Sequence, residues 1–264
     1  MEESLLDFPI HPKQHGFLAN KSTESAISYT INYIEKHVFK NEKVLGLFLD
    51  ISAAFDSIEP EHIKKQLILH GGDPDLVEWY YGYLVHRDIE INLQGESGHF
   101  STSKGFPQGG VCSAKFWLIA FNPAIEIINK YGIEGNGYAD DCSVLIGGKR
   151  MDKMICTMEK MSNELIAWGH TCGLKFNASK TVAMCFSRSR SLPIEKCHFD
   201  GERLDYSQTV TYLGVKLDQK LTWKPHIQGR IDKAKNYILN IANLTRKKFG
   251  PKPKLMRWAY TGIV

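Results

Sequence analysis

The chain has 264 residues, 43% of them hydrophobic and 23% charged, an ordinary balance for a globular protein with a sizeable core. No apolar run approaches the length of a bilayer span, and Met1-Glu2-Glu3-Ser4 lacks the basic and apolar regions of a secretory leader, so the expectation is an intracellular protein with no membrane partner. The net charge of +4 is unevenly placed: residues 224–264 carry ten Lys or Arg against one acid, Asp232, which makes that segment +9 and leaves residues 1–223 at −5. A basic end on a mildly acidic body suggests a polyanionic partner, the alternative being a solvated helical face.

In chain order, Pro9, His11-Pro12 and Gln14-His15-Gly16-Phe17 read as extended and loop-like. Ser22 or Thr23 caps a helix whose apolar face is Ala26, Ile27, Thr30, Ile31 and Ile34. Val44-Leu45-Gly46-Leu47-Phe48-Leu49 is a continuous apolar run, read as a strand buried on both faces that carries Asp50 at its C-terminal end. Pro60 starts a helix through Leu69, stopped at Gly71-Gly72. Asp73 before Pro74 is an N-cap for a helix to about His86. Ile89–Leu93 and His99–Ser103 make a polar hairpin.

Gly105-Phe106-Pro107-Gln108-Gly109-Gly110 is a glycine-rich turn leading into a buried helix over 111–131, with a kink expected at Pro123. Gly135-Asn136-Gly137-Tyr138-Ala139-Asp140-Asp141-Cys142-Ser143-Val144-Leu145-Ile146 follows, two short apolar strands with the turn expected on Asp140-Asp141. Met154, Met158, Met161, Leu165 and Trp168 recur every three or four residues, a stripe read as core packing against a sheet, ended at Gly173. Leu174–Asn177 and Thr181–Phe186 read as strands around Ala178-Ser179-Lys180, and Tyr212-Leu213-Gly214-Val215 as a late strand before a basic helix from about Pro225. Six scattered cysteines (Cys112, Cys142, Cys156, Cys172, Cys185, Cys197) include no C-x-x-C pair, which argues for reduced, mostly buried thiols and against zinc.

Mixed strands and helices with adjacent hairpin strands predict an α+β fold, an antiparallel sheet backed by helices on one face. Two adjacent aspartates repel by about 4 kcal/mol at 4 Å and an effective dielectric of roughly 20, so Asp140-Asp141 asks for a cation unless both carboxylates lie in water. If the strand ending at Asp50 pairs with that hairpin, three carboxylates converge at one sheet edge. Oxygen-only ligands select Mg²⁺ or Mn²⁺, and two such ions about 3.5–4 Å apart support nucleotidyl transfer.

Five segments also resemble, in order, the palm motifs of reverse transcriptases, and most closely those of non-LTR (LINE-like) retrotransposons. They are Phe48-Leu49-Asp50-Ile51-Ser52-Ala53-Ala54-Phe55-Asp56, Gly105-Phe106-Pro107-Gln108-Gly109, Tyr138-Ala139-Asp140-Asp141, residues 173–181, and Tyr212-Leu213-Gly214-Val215. The resemblance covers roughly residues 9–260 and implies a right-hand polymerase with an antiparallel-sheet palm backed by helices, partial fingers and a partial helical thumb. It implies partial fingers over 1–43, palm over 44–59 and 105–204, a fingers insertion over 60–104, a primer-grip region over 205–222 and partial thumb over 223–264.

The resemblance further implies that Asp50, Asp140 and Asp141, with the Ile51 carbonyl, bind two Mg²⁺ (or Mn²⁺), and that Phe55 is a steric gate against a ribose 2′-OH. Gln108 and Gly109 would meet the incoming nucleotide or template, Lys180 would protonate the leaving pyrophosphate, and Tyr212, Leu213 and Gly214 would form the primer grip. The implied partners are an RNA template, a DNA primer and dNTPs, and the implied location is the nucleus.

Two departures stand out. A basic fingers block expected before Pro9 is absent, and Leu18 stands where many relatives carry Arg; the chain also stops at Tyr260-Thr261-Gly262-Ile263-Val264, inside the expected thumb. The expectation is a fragment of a longer element protein or a decayed copy. Three functions therefore compete: RNA-directed DNA polymerase, an inactive remnant that only binds nucleic acid, and a viral RNA-dependent RNA polymerase, which Phe55 disfavours.

Overall fold

A computed structural model describes residues 8–189 and 195–245, together with 252, 254, 255, 257, 258 and 261. The expected apolar end at Tyr260 and Gly262–Val264 lies outside the described residues. Chain contacts divide the molecule into two units, residues 1–207 and 208–264.

The first unit is built on a four-stranded antiparallel sheet of β1 (Lys43–Leu49), β5 (Glu134–Tyr138), β6 (Asp141–Gly148) and β8 (Val182–Phe186), in the order β5-β6-β1-β8. β1 lies centrally and every residue from Val44 to Leu49 is buried, as its unbroken apolar run requires. Its register against β6 sets Leu49 opposite Cys142, and against β8 sets Phe48 opposite Val182. The ends of β1, β6 and β8 therefore meet at one edge.

Helices cover both faces of this sheet, not one. α5 (Ser113–Lys130) lies under β5, where a Cβ on Gly135 would meet Ile128 Cγ2 at 2.9 Å, so glycine alone lets helix and strand approach. α6 (Met151–Cys172) buries Met154, Met158, Met161 and Leu165, and Gly173 ends it in a left-handed conformation with φ 81°. The opposite face is closed by α1 (Thr23–Phe39): Asn136 Nδ2 donates 2.7 Å to Ala26 O, and Thr30 Oγ1 lies 3.1 Å from Ser143 Oγ. Asn136 alternates with Gly135 and Gly137 along β5, so a strand rich in small residues serves two helices at once.

The remaining sequence signals hold with small shifts. Ser22 caps α1 through a reciprocal pair with Ser25. β2 (Ile51–Ser52) and α2 (Ala54–Ser57) follow Asp50, then α3 (Pro60–Leu69) and α4 (Pro74–Val85), where Asp73 accepts from the Leu76 N–H. The polar hairpin is β3 (Arg87–Leu93) and β4 (Glu96–Thr102), turning at Gln94-Gly95. α5 runs unbroken through Pro123, and nearby carbonyls gain side-chain donors: Gln14 Nε2 reaches Leu118 O at 2.8 Å and His62 Nε2 reaches Ala120 O at 3.0 Å. β7 (Lys175–Phe176) pairs with β2, and β9 (Cys197–Phe199) with β10 (Glu202–Leu204). All six cysteines are free thiols, five buried and Cys156 exposed.

The second unit holds a hairpin of β11 (Thr209–Tyr212) and β12 (Val215–Asp218), followed by α7 (Lys224–Thr245). The expected single strand through Tyr212-Leu213-Gly214-Val215 is instead this hairpin's turn. Tyr212 pairs with Val215, and both Leu213 and Gly214 take left-handed conformations at φ 48° and 79°, which suit the twist of a two-residue turn.

Candidate active site

The two aspartates do not share the turn. Tyr138 pairs with Asp141, so the two-residue loop is Ala139-Asp140 and Asp141 is already the first residue of β6. Ala139 is left-handed at φ 55°, an unfavourable state for alanine that the surroundings hold: the Trp117 indole N–H donates 2.8 Å to Ala139 O. Residues 13–16 lie alongside as well. The His15 N–H donates 2.8 Å to Gly137 O, the Gly137 N–H donates 3.1 Å to Lys13 O, and a Cβ on Gly16 would stand 2.6 Å from Ala139 N.

Asp50 arrives from the central strand. Its carbonyl accepts 2.8 Å from the Asn177 N–H, and the Thr181 hydroxyl donates 2.8 Å back to Asn177 O, closing the loop that carries Lys180. Lys180 Nζ stands 3.8 Å from Asp50 Oδ2. That oxygen is buried and has no hydrogen-bond donor. Burial, then the Asp140 and Asp50 carboxylates, hold the Asp141 carboxyl above the usual carboxylate range, although the residue as a whole is exposed at the sheet edge. The three carboxylates thus lie within one electrostatic neighbourhood. Among the described residues no three His, Cys, Asp or Glu side chains are drawn into a ready metal-binding group.

A cleft of about 490 Å³ opens beside this edge, lined by Phe17, Phe55, Gln108, Gly109, Gly110, Ser113, Ala114 and Asp140. Four sequence-predicted residues, Phe55, Gln108, Gly109 and Asp140, meet there. Phe55 is half-buried: its ring stacks on Trp117 (centroids 5.3 Å apart, 24° between planes) and meets Phe106 edge-on at 5.2 Å. The Phe106 N–H donates 3.0 Å to Phe55 O, which ties the glycine-rich turn to the aromatic residue. Gly105, at φ 67°, lies so close that a Cβ would stand 2.6 Å from Asp56 Cα. Gly109 is also left-handed, at φ 85°, but faces open space.

Ile51 is buried and pairs with Phe176, which leaves only its backbone relevant to the edge. Tyr212, Leu213 and Gly214 belong to the second unit. Sequence reasoning missed Phe17, Gly110, Ser113 and Ala114 as cleft residues, and Trp117 as the donor to Ala139. The usable signals were the glycine pair opening α5 and the Gln14-His15-Gly16-Phe17 segment.

An antiparallel sheet that delivers carboxylates from a central strand and an adjoining hairpin to one edge is the palm of a nucleic-acid polymerase. A family profile described as reverse transcriptase (RNA-dependent DNA polymerase) matches residues 2–217, and the chain belongs to that family. It is 26% identical over 223 residues to the RNA-directed DNA polymerase from mobile element jockey of Drosophila melanogaster, covering 81% of this chain and 24% of the relative. It is 22% identical over 270 residues to the Retrovirus-related Pol polyprotein from type-1 retrotransposable element R1 of Bradysia coprophila, covering 100% of this chain and 26% of the relative. The chain thus spans about a quarter of the length of these curated relatives.

Among solved structures, apo telomerase from Candida tropicalis truncated from its C-terminal domain superposes with a TM-score of 0.58 at 14% identity, over 84% of this chain and 43% of that one. That likeness concerns the fold. The resemblance to retrotransposon reverse transcriptases read from the motifs is borne out, as is the α+β polymerase fold.

Divalent metal ions are general to this family, and the residues present fit them. The donors are all oxygens, one buried carboxylate oxygen lacks a donor, and Asp141 carries a charge its neighbours oppose. No helix among the described residues is long and apolar enough to cross a membrane.

Proposed function

We propose that this chain is the polymerase core of a retrotransposon protein and extends a DNA primer with dNTPs on an RNA template. The observation that carries this reading is the single cleft shared by Phe55, Gln108, Gly109 and Asp140 beside the Asp50–Asp141 edge. Asp50, Asp140 and Asp141, with the Ile51 carbonyl, hold two Mg²⁺ (Mn²⁺ serving as substitute). When bound, these ions supply activation of the primer 3′-hydroxyl and charge neutralisation on the departing pyrophosphate.

The chain's own residues do the rest. The Phe55 ring, immobilised on Trp117 and Phe106, occupies the space a ribose 2′-hydroxyl needs. Gln108 contacts the incoming nucleotide or the template, and left-handed Gly109 lets backbone approach closely. Lys180, held near Asp50, donates a proton to the leaving pyrophosphate oxygen. The Leu213-Gly214 turn, with Tyr212, grips the primer, and the basic residues of α7 hold duplex phosphates. The RNA partner draws support from the telomerase of Candida tropicalis, whose solved complex contains a fragment of telomeric RNA.

The test is single-nucleotide extension of a DNA primer on an RNA template with Mg²⁺, comparing dNTPs and ribonucleotides. Extension with dNTPs that disappears in Asp140→Asn is the expected result. Duplex binding without extension by the wild-type chain would establish the inactive remnant instead.

A further inference from the structure

Trp117 sits where two parts of the site meet. It is fully buried, and its indole stacks on both Phe55 and Phe121, the latter at 5.2 Å and 16°. Its N–H is spent on Ala139 O, the carbonyl of the residue just before Asp140. Phe55 lines the cleft after Asp50, and Ala139 forms the turn that sets Asp140 and Asp141. One side chain therefore touches both the aromatic wall of the cleft and the turn that carries Asp140 into it and leads to Asp141. Gly16 packs against the preceding peptide, Tyr138–Ala139, with no room for a Cβ.

We infer that Trp117 is a positioning residue: its indole N–H, with Gly16 packed against the preceding peptide, holds Ala139 left-handed and so fixes Asp140 and Asp141 relative to the Phe55 ring. The inference deepens the polymerase reading and rests on it for the roles of those three residues. The physical case is direct. The left-handed state is disfavoured by the alanine Cβ, and the hydrogen bond to its carbonyl adds to the demand of the two-residue turn in selecting it. Without that donor the turn relaxes, and the carboxylates lose their aim while the core stays filled by any aromatic ring at 117.

Trp117→Phe makes that separation, since it keeps stacking and deletes the N–H. Gly16→Ala perturbs the preceding peptide, Tyr138–Ala139, and Ile119→Ala, a buried site on the same helix, controls for lost stability. Three readouts apply to the intact 264-residue chain: Mn²⁺ binding followed by electron paramagnetic resonance, amide hydrogen exchange over residues 138–142, and single-nucleotide addition. Trp117→Phe and Gly16→Ala are expected to weaken Mn²⁺ binding about tenfold, the worth of one hydrogen bond, and to speed exchange across the turn. Addition should fall in kcat with dNTP KM nearly unchanged. Ile119→Ala should lower Tm and leave Mn²⁺ binding and exchange at wild-type values.

If Trp117→Phe lowers Tm but leaves Mn²⁺ affinity and exchange at 138–142 unchanged, Trp117 is core alone and the inference fails. If the wild type adds no nucleotide at all, the polymerase reading fails, while Mn²⁺ binding and exchange still decide what Trp117 does to the turn.

Discussion

Asp141 is the residue whose removal should move stability and activity in opposite directions. Burial, Asp140 and Asp50 all push its carboxyl above the ordinary value of 3.8. A carboxyl whose pKa rises on folding binds protons more tightly in the native state. Its contribution to the fold is therefore present below 3.8 and is lost as pH rises through the raised value. At neutral pH, without metal ions, the ionised group works against the fold.

Asp141→Asn keeps the shape and removes the charge. Two unit charges about 4 Å apart repel by roughly 4 kcal/mol at an effective dielectric of 20, but Asp141 is exposed at the edge. Solvent screening leaves about 0.5–1 kcal/mol, equivalent to about 1–4 °C in Tm for a unit of this size. The variant should melt above wild type in EDTA at pH 7, and the gap should close as pH falls below about 3.8, where wild type is also neutral. In single-nucleotide addition at saturating Mg²⁺ the same variant should lose about a thousandfold in rate, or ~4 kcal/mol of transition-state stabilisation. A variant melting at or below wild type in EDTA at pH 7 refutes the electrostatic argument. Wild-type addition rates refute the metal role of Asp141.

Phe55→Val should raise ribonucleotide over deoxyribonucleotide use on the order of tenfold in kcat/KM, by opening space beside the sugar; an unchanged ratio makes Phe55 a packing residue only. Gly105→Ala should cost roughly 2–4 kcal/mol in chemical denaturation and raise the dNTP KM, because its Cβ meets the Asp56 backbone at φ 67°. Gly109→Ala, at φ 85° in open space, should cost only about 1–2 kcal/mol, and equal losses at the two glycines would contradict this account. Duplex binding should weaken with salt: if the basic segment from Lys224 onward contacts about four phosphates, log affinity falls against log salt with a slope of about −3.6. Salt-insensitive binding would remove that segment from the duplex.

Much of this protein was written locally. The unbroken apolar run to Leu49 announces a central strand and sets Asp50 at its end, because only a strand covered on both faces tolerates six apolar residues in a row. Ser22, Asp73 with Pro74, and Gly173 mark helix ends through the backbone groups they satisfy or the φ they permit. The order of the five motifs identified the family before any geometry. Local signals of this kind depend on what a residue does to its own backbone, and they survive without knowledge of neighbours.

Other features depend on what lies opposite, and those only the tertiary structure decided. Asp140 and Asp141 are both good turn residues, yet the turn is Ala139-Asp140, because Trp117 from a distant helix supplies the hydrogen bond that holds alanine left-handed. Leu213 is apolar and reads as strand, yet pairing of Tyr212 with Val215 makes it a turn. The second helical face of the sheet was invisible because Gly135, Asn136 and Gly137 show no apolar alternation; their meaning lies in Ile128 on one side and Ala26 and Thr30 on the other. Local preference sets which conformations are cheap. Register and packing choose among them, and that choice placed the carboxylates.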